Sequence, residues 1–217
     1  MKKKNYKQLN QLIDEEYNEI KDSIDLHNCD ANDFIRRKLH QTNWKKNRGV
    51  LFLDPFALSV NWESLSIIAK TKAIDVWYLF PIGALNRMLT TNGKMDITWE
   101  KKLNTVLGTD QWKDAFYKEK SREAVQLSFG ENGETNTGDP YDESNLFKST
   151  NIANIKDFIT KRLEETFAWV SPNPRLLLTE KKTPLFYLFL AVSNPSKPAI
   201  DLAKKLAKYT LDKNKNG

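Results

Sequence analysis

The chain reads Gly49-Val50-Leu51-Phe52-Leu53 and closes that run with Asp54-Pro55-Phe56. A second apolar run, Ile74-Asp75-Val76-Trp77-Tyr78-Leu79-Phe80, also ends at a proline. Runs of this length, bounded by turn residues, are typical of strands that are buried on both faces of a parallel sheet. Apolar residues at helical spacing from Trp62 to Ala69 separate the two runs. The pattern therefore predicts a strand–helix–strand unit with a right-handed crossover.

The alternation of strands and helices continues on both sides of this unit. Upstream, residues 23–29 alternate like a short strand, and downstream Leu185–Val192 forms a third apolar run. We predict one α/β domain over residues 1–217, with a Rossmann-like, mostly parallel sheet. Residues 84–150 are predicted to be a helical and loop insertion before the last strands. Within it, the polar segment 128–150 is expected to be a flexible surface loop.

Composition narrows the class of protein. With 217 residues, 40% of them hydrophobic, the chain is large enough to bury a core, which excludes intrinsic disorder. The single cysteine, Cys29, excludes a disulfide framework and a cysteine zinc cage, and the two histidines lack zinc-hydrolase spacing. No apolar stretch is long enough to cross a membrane, and the basic N-terminus leads into polar residues. We expect a soluble, cytoplasmic protein with no membrane partner and no metal.

The excess positive charge lies in several small clusters, of which the run from residue 36 to residue 48 is the best candidate for a phosphate-binding surface. The net charge is +6, and the run from residue 36 to residue 48 contains no acid. Its basic residues form a candidate nucleic-acid surface, whose binding would weaken steeply with salt. The alternative is a solvated helix end and loop. The candidate residues are Arg36, Arg37, Lys38, Lys45, Lys46 and Arg48.

The main candidate site follows the first apolar run, because a parallel sheet binds ligands beyond the carboxyl ends of its strands. Asp54, Pro55 and Phe56 resemble the Asp/Asn-Pro-Pro-aromatic motif of amino-methyltransferases. In that motif the acid or amide and a backbone carbonyl hold the target amine, and the aromatic ring stacks on the base. The alternative is a turn in which Asp54 caps the next segment and Phe56 belongs to the core.

A second candidate site follows the predicted strand 23–29. In class I methyltransferases an acid or amide at this position meets the adenine of S-adenosylmethionine, which assigns Asp30, Ala31 and Asn32 to cofactor binding. The alternative is that Asp30 or Asn32 caps the helix that follows.

A longer pattern joins these segments. It runs from Gly49 to Phe56, continues through Trp62-Glu63 and the segment 73–83, and includes Leu85-Asn86-Arg87. This pattern resembles the three-Cys-motif partner proteins (TcmP). The resemblance implies a class I methyltransferase-like Rossmann fold, S-adenosylmethionine as the cofactor of the complete family form, and a bacterial or phage-related source. It also implies a three-cysteine, radical-SAM-like protein as the partner.

The chain departs from the family pattern at its N-terminal end. No glycine occurs before Gly49, although the cofactor loop of this fold needs glycines for close backbone approach. We expect an N-terminally truncated domain that is inactive alone and binds no cofactor itself, or a non-catalytic scaffold for the three-cysteine partner. The exposed sheet edges of such a domain predict self-association or pairing with a missing N-terminal half. Ala57 is a milder departure, because a small residue, often glycine, is expected there.

Overall fold

The computed structural model describes residues 3–120 and 146–212. The chain divides into two compact units, Met1–Thr42 and Asn43–Gly217. The first unit contains helix α1 (Lys3–Glu16), a 3₁₀ helix (Asn18–Ser23) and helix α2 (Ala31–Gln41).

The strand predicted over residues 23–29 is wrong. Residues 24–30 have no strand structure, and no described segment pairs with them. Their side chains make local contacts instead: His27 lies 3.2 Å from the Asp25 carboxylate and its ring packs at 4.6 Å against Phe34. An alternating sequence forms a strand only where a neighbouring strand completes the hydrogen-bond ladder.

The second unit is an α/β structure. Its elements, numbered in chain order, are β1 (Gly49–Leu53), α3 (Trp62–Lys70), β2 (Ile74–Phe80), α4 (Ile82–Met88), α5 (Ile97–Leu107), α6 (Trp112–Phe116), β3 (Tyr117–Glu119), β4 (Leu146–Lys148), α7 (Ile152–Thr166), β5 (Trp169–Val170), β6 (Arg175–Leu178), β7 (Pro184–Val192) and α8 (Lys197–Asp212).

The main sheet is mixed, with strand order β1-β2-β7-β5 and with β6 also pairing with β7. Among the described strands, only β1 and β2 are parallel neighbours, and β7 is antiparallel to β2, β5 and β6. The expected mostly parallel sheet is therefore not what the described strands form. For β6 and β7 the reason is their connection, a tight turn in which Thr179 N–H donates to the Thr183 carbonyl. A connection that short allows only antiparallel pairing.

The two faces of the sheet are covered differently. Val76, Tyr78 and Phe80 of β2 are buried on one face, where the Phe80 ring meets Phe189 at 6.5 Å. On the other face, α8 covers the β7 side of the sheet, and Ala203 belongs to that small core.

Strand β1 is much more open than its sequence predicts. Val50 is 71% exposed and Phe52 is 58% exposed, so the expectation that this strand is buried on both faces is wrong. In the register of the parallel pair, Val50 lies beside Asp75 and Phe52 lies beside Trp77, so these side chains are on the same face of the sheet. Helix α8 covers this face only around β7.

The insertion predicted over residues 84–150 contains more than helices and loops. Strands β3 and β4 form a separate two-stranded antiparallel sheet, so the loop prediction is wrong for residues 146–148. Residues 128–145 of that predicted loop lie outside the described residues. Trp112, Phe116 and Tyr117 are buried against one another, and the Phe116 ring also packs at 5.0 Å against Phe158 of α7, which lies outside the insertion.

Within residues 3–120 and 146–212, none of the helices has both the length and the apolar character that crossing a membrane requires.

Candidate functional site

A cleft of about 430 Å³ lies at the carboxyl ends of β1 and β2. The turn after β1 forms one wall, and the start of α4 and the start of β7 form the others. Its lining residues are Asp54, Pro55, Phe56, Ala57, Pro81, Ala84, Arg87, Leu185 and Phe186.

The turn after β1 presents its polar and aromatic groups to solvent. Pro55 and Leu58 are buried and hold the turn against the core, whereas Asp54 is exposed and Phe56 is 93% exposed. The alternative in which Phe56 belongs to the core is therefore wrong. Among the residues that the structure describes, the Asp54 carboxylate accepts no hydrogen bond and forms no ion pair. Its oxygens are available to a ligand in the cleft.

The shape of the turn depends on Ala57, whose φ of 52° is in the left-handed region. Residues with a side chain rarely adopt this conformation, and glycine adopts it without penalty. This left-handed conformation is the physical reason to expect a small residue, often glycine, at position 57. Such strained residues are most frequent at ligand sites.

Helix α4 forms the second wall and brings a positive charge to the cleft. The helix packs so closely on β7 that a Cβ atom added at Gly83 would lie 2.6 Å from the Pro184 carbonyl oxygen. Arg87, one turn further on, is exposed and lines the cleft. The site prediction did not include Arg87. The signal that could have found it is the spacing of four residues from Gly83, which places both on the same face of a helix.

The third wall is apolar and comes from the first residues of β7. Leu185 and Phe186 are half-buried and line the cleft because β7 runs antiparallel to β2. The amino end of β7 therefore lies at the same sheet edge as the carboxyl ends of β1 and β2. The sequence predicts this strand without assigning its direction, so it does not place Leu185 and Phe186 at the site.

The predicted cofactor residues form a helix start in the first unit. Asp30 is the N-cap of α2, and its Oδ1 accepts hydrogen bonds from the backbone N–H groups of Asn32 at 2.9 Å and Asp33 at 3.1 Å. Ala31 is the first helical residue, and Asn32 is buried. These contacts show that Asp30 caps the helix, which is the alternative that the sequence left open. The strand on which the adenine prediction depended is absent from the described chain, and the assignment of these residues to cofactor binding stays a prediction.

The basic residues of the run from 36 to 48 belong to both units. Arg36, Arg37 and Lys38 lie on α2, where Arg36 pairs with Asp33 at 3.5 Å. Lys45, Lys46 and Arg48 precede β1 in the second unit. Their assignment to nucleic-acid binding stays a prediction.

Over the described part of the chain, no three acidic, histidine or cysteine side chains come together as a metal site. Comparison with models of protein families, with curated proteins and with solved structures found no match for this chain.

Proposed function

We propose that this chain is a TcmP-like, methyltransferase-like protein whose cleft holds the amine-bearing base of a nucleic-acid target. The observation that carries the proposal is the exposed ring of Phe56 beside the Asp54 carboxylate, which has no partner among the described residues. Aromatic side chains are normally largely buried, but 93% of the Phe56 side chain is exposed to water. A flat ligand that stacks on it supplies that burial.

The three walls of the cleft have complementary roles in this proposal. Phe56 stacks on the base, a contact worth about 1–3 kcal/mol per base. The Asp54 carboxylate accepts a hydrogen bond from the exocyclic amine, which is the atom that an amino-methyltransferase modifies. The Arg87 guanidinium balances the charge of Asp54 and suits a phosphate on the target backbone. Leu185 and Phe186 supply an apolar wall against the base edge.

The sheet supports the class I methyltransferase-like part of the proposal. Because β7 is antiparallel to each of its neighbours, β1, β2, β5 and β6 all run in one direction. The fold that the sequence resemblance implies is consistent with this arrangement.

Cofactor binding by this chain alone is not part of the proposal. The sequence has no glycine before Gly49, and Asp30 is engaged as a helix cap. S-adenosylmethionine, where present, supplies the methyl group. The residues of this chain orient the target amine and exclude water from one side of the base. A three-cysteine protein is the proposed partner.

Binding of single-stranded oligonucleotides tests the proposal directly. In calorimetric titrations we expect the unmodified protein to bind a short single strand, and Phe56→Ala to weaken that binding by about tenfold or more, because stacking is lost. Tyr209→Ala is the matched control, since Tyr209 is 64% exposed on α8 and does not line the cleft. Equal binding by the Phe56→Ala and Tyr209→Ala variants would rule out the proposed role of the cleft.

A second titration, with S-adenosylmethionine, tests the absence of cofactor binding. We expect no heat of binding from the purified chain. Micromolar binding would show that the residues of this chain are sufficient to hold the cofactor.

A further inference from the structure

Strand β1 has an unpaired edge. The Gly49 N–H donates to the Ala73 carbonyl at 3.0 Å, so the odd-numbered residues of β1 direct their backbone groups toward β2. The backbone groups of Val50 and Phe52 consequently point away from the sheet. Within the described residues, nothing hydrogen-bonds to them. An exposed edge of this kind is a template for another strand.

Three of the features that usually protect a strand edge are missing from β1 itself. Residues 49–53 include no charged residue, no proline and no bulge. Val50 and Phe52 are both exposed on the same face. An added strand would bury both side chains and pair both sets of backbone groups.

The residues that flank β1 have opposite charges. Arg48 precedes the strand and Asp54 follows it. If a second copy of β1 pairs antiparallel with the first and the register is centred on Leu51, residue 50 lies opposite 52 and residue 48 lies opposite 54. All four even-numbered residues face the open edge, so the backbone geometry permits this register. Each Arg48 then meets Asp54 of the other copy.

The side chains needed for this pairing are available. In the described structure Arg48 donates two hydrogen bonds, to the carbonyl oxygens of Trp44 and Asn47. Its Nη1 atom is the donor in both. Its Nε and Nη2 atoms can therefore donate to a carboxylate. An ionised carboxylate has about four acceptor sites, so an ion pair at Asp54 leaves sites that face the cleft.

From these observations we infer that two copies of this chain associate through antiparallel pairing of their β1 strands. The pair is centred on Leu51 and makes one continuous sheet through both copies. Two Val50–Phe52 contacts and two Arg48–Asp54 ion pairs fix its register. The dimer is weak and depends on concentration, because five residues bury less than the roughly 1,200 Å² of a stable interface. This inference is independent of the proposed function.

Sedimentation velocity of the full chain over a range of concentrations tests the inference. We expect the unmodified protein to shift from monomer to dimer, and Arg48→Asp to weaken association by about tenfold, because two ion pairs are replaced by two repulsions. The double variant Arg48→Asp/Asp54→Arg restores opposite charges and is expected to recover association. A chain that remains monomeric at every concentration would overturn the inference, as would a double variant that associates no better than Arg48→Asp.

A second pair of variants distinguishes the strand edge from the neighbouring groove of about 420 Å³ beside α8. Phe52→Lys introduces a charge at the edge, at a residue that does not line the groove, and is expected to abolish association. Leu202→Lys is the control, because Leu202 is 60% exposed in the groove and lies outside β1. Loss of association in Leu202→Lys but not in Phe52→Lys would contradict edge pairing. Circular dichroism checks that both variants fold. Unchanged oligonucleotide binding by Phe52→Lys is expected and separates this inference from the role of the cleft, which Phe52 does not line.

Discussion

At the residue scale, the cleft depends on a few side chains in unusual environments. Phe56 is exposed, Ala57 has left-handed backbone, and Asp75 is partly buried in an apolar face. The sequence could predict that Asp54, Pro55 and Phe56 form a site, because a carboxylate and an aromatic ring follow a strand end. It could not predict Arg87, which reaches the cleft only through the way α4 packs on β7.

Ala57→Gly is expected to stabilise the protein. Glycine adopts the φ of 52° without the steric cost that alanine bears, although it also makes the unfolded chain more flexible. We expect the free energy of unfolding to rise by about 0.5 kcal/mol, measured by urea denaturation. Ala84→Gly is the matched control, because the same exchange inside α4 is expected to cost about 1 kcal/mol. A loss of stability in Ala57→Gly would contradict the left-handed conformation.

Asp75→Asn is expected to stabilise the protein at neutral pH and not in acid. Burial raises the pKa of the Asp75 carboxyl above its ordinary value of 3.8, and a backbone hydrogen bond from Ser193 offsets part of this. The folded state therefore favours the protonated acid, and ionisation lowers the free energy of unfolding as the pH rises from 3.8 through the folded-state pKa. The amide of asparagine does not ionise, so the variant avoids this loss of unfolding free energy. The loss is up to about 1 kcal/mol at a partly exposed position.

Urea denaturation of the unmodified protein and Asp75→Asn at several pH values measures this effect. The difference in unfolding free energy is expected to be largest at neutral pH and to vanish below pH 3.8, where both states of the acid are protonated. A difference that is the same at every pH would show that the substitution acts through packing instead.

At the scale of elements, the sequence predicts where strands lie better than how they pair. The predicted strand over residues 74–80 is confirmed at the same bounds, and the run beginning at Leu185 is confirmed one residue longer at its start. Local sequence could not predict that β7 would lie between β2 and β5, because strand order depends on contacts distant in the sequence. For the same reason, the apolar run of β1 did not reveal that this strand lies at an open edge.

Gly83→Ala tests the packing of α4 on β7, which shapes the cleft. Alanine normally stabilises a helix relative to glycine by about 1 kcal/mol. Here the added Cβ would lie 2.6 Å from the Pro184 carbonyl oxygen, so α4 must move, and we expect a loss of about 1–3 kcal/mol in unfolding free energy. Weaker oligonucleotide binding is expected to accompany this loss, since Ala84 and Arg87 move with the helix.

Gly49→Ala is the control for this substitution. A Cβ at Gly49 would meet its nearest neighbour, Ile74, at 3.8 Å, which is an ordinary contact. We expect this variant to match the unmodified protein in urea denaturation and in binding. Equal stability of the two alanine variants would contradict the close approach of α4 to β7.

At the scale of the whole molecule, buried residues are distributed unevenly between the two units. Among the described residues before position 43, only Asn32 and Ile35 are buried. The second unit contains the sheet, the cleft and all the other buried apolar side chains. Burial of apolar surface is the main source of folding free energy. The second unit therefore contributes nearly all of the folding free energy that comes from burial.

A protein that consists of residues 43–217 is therefore expected to fold by itself. Removing residues 1–42 removes one buried apolar side chain, Ile35, and we expect the midpoint of thermal unfolding to change by only a few degrees. Circular dichroism of the shortened and full chains measures this. Because Asp54, Phe56 and Arg87 remain, oligonucleotide binding at the cleft is expected to persist, whereas binding that depends on Arg36, Arg37 and Lys38 would be lost. A shortened chain without a cooperative transition would show that the first unit stabilises the second.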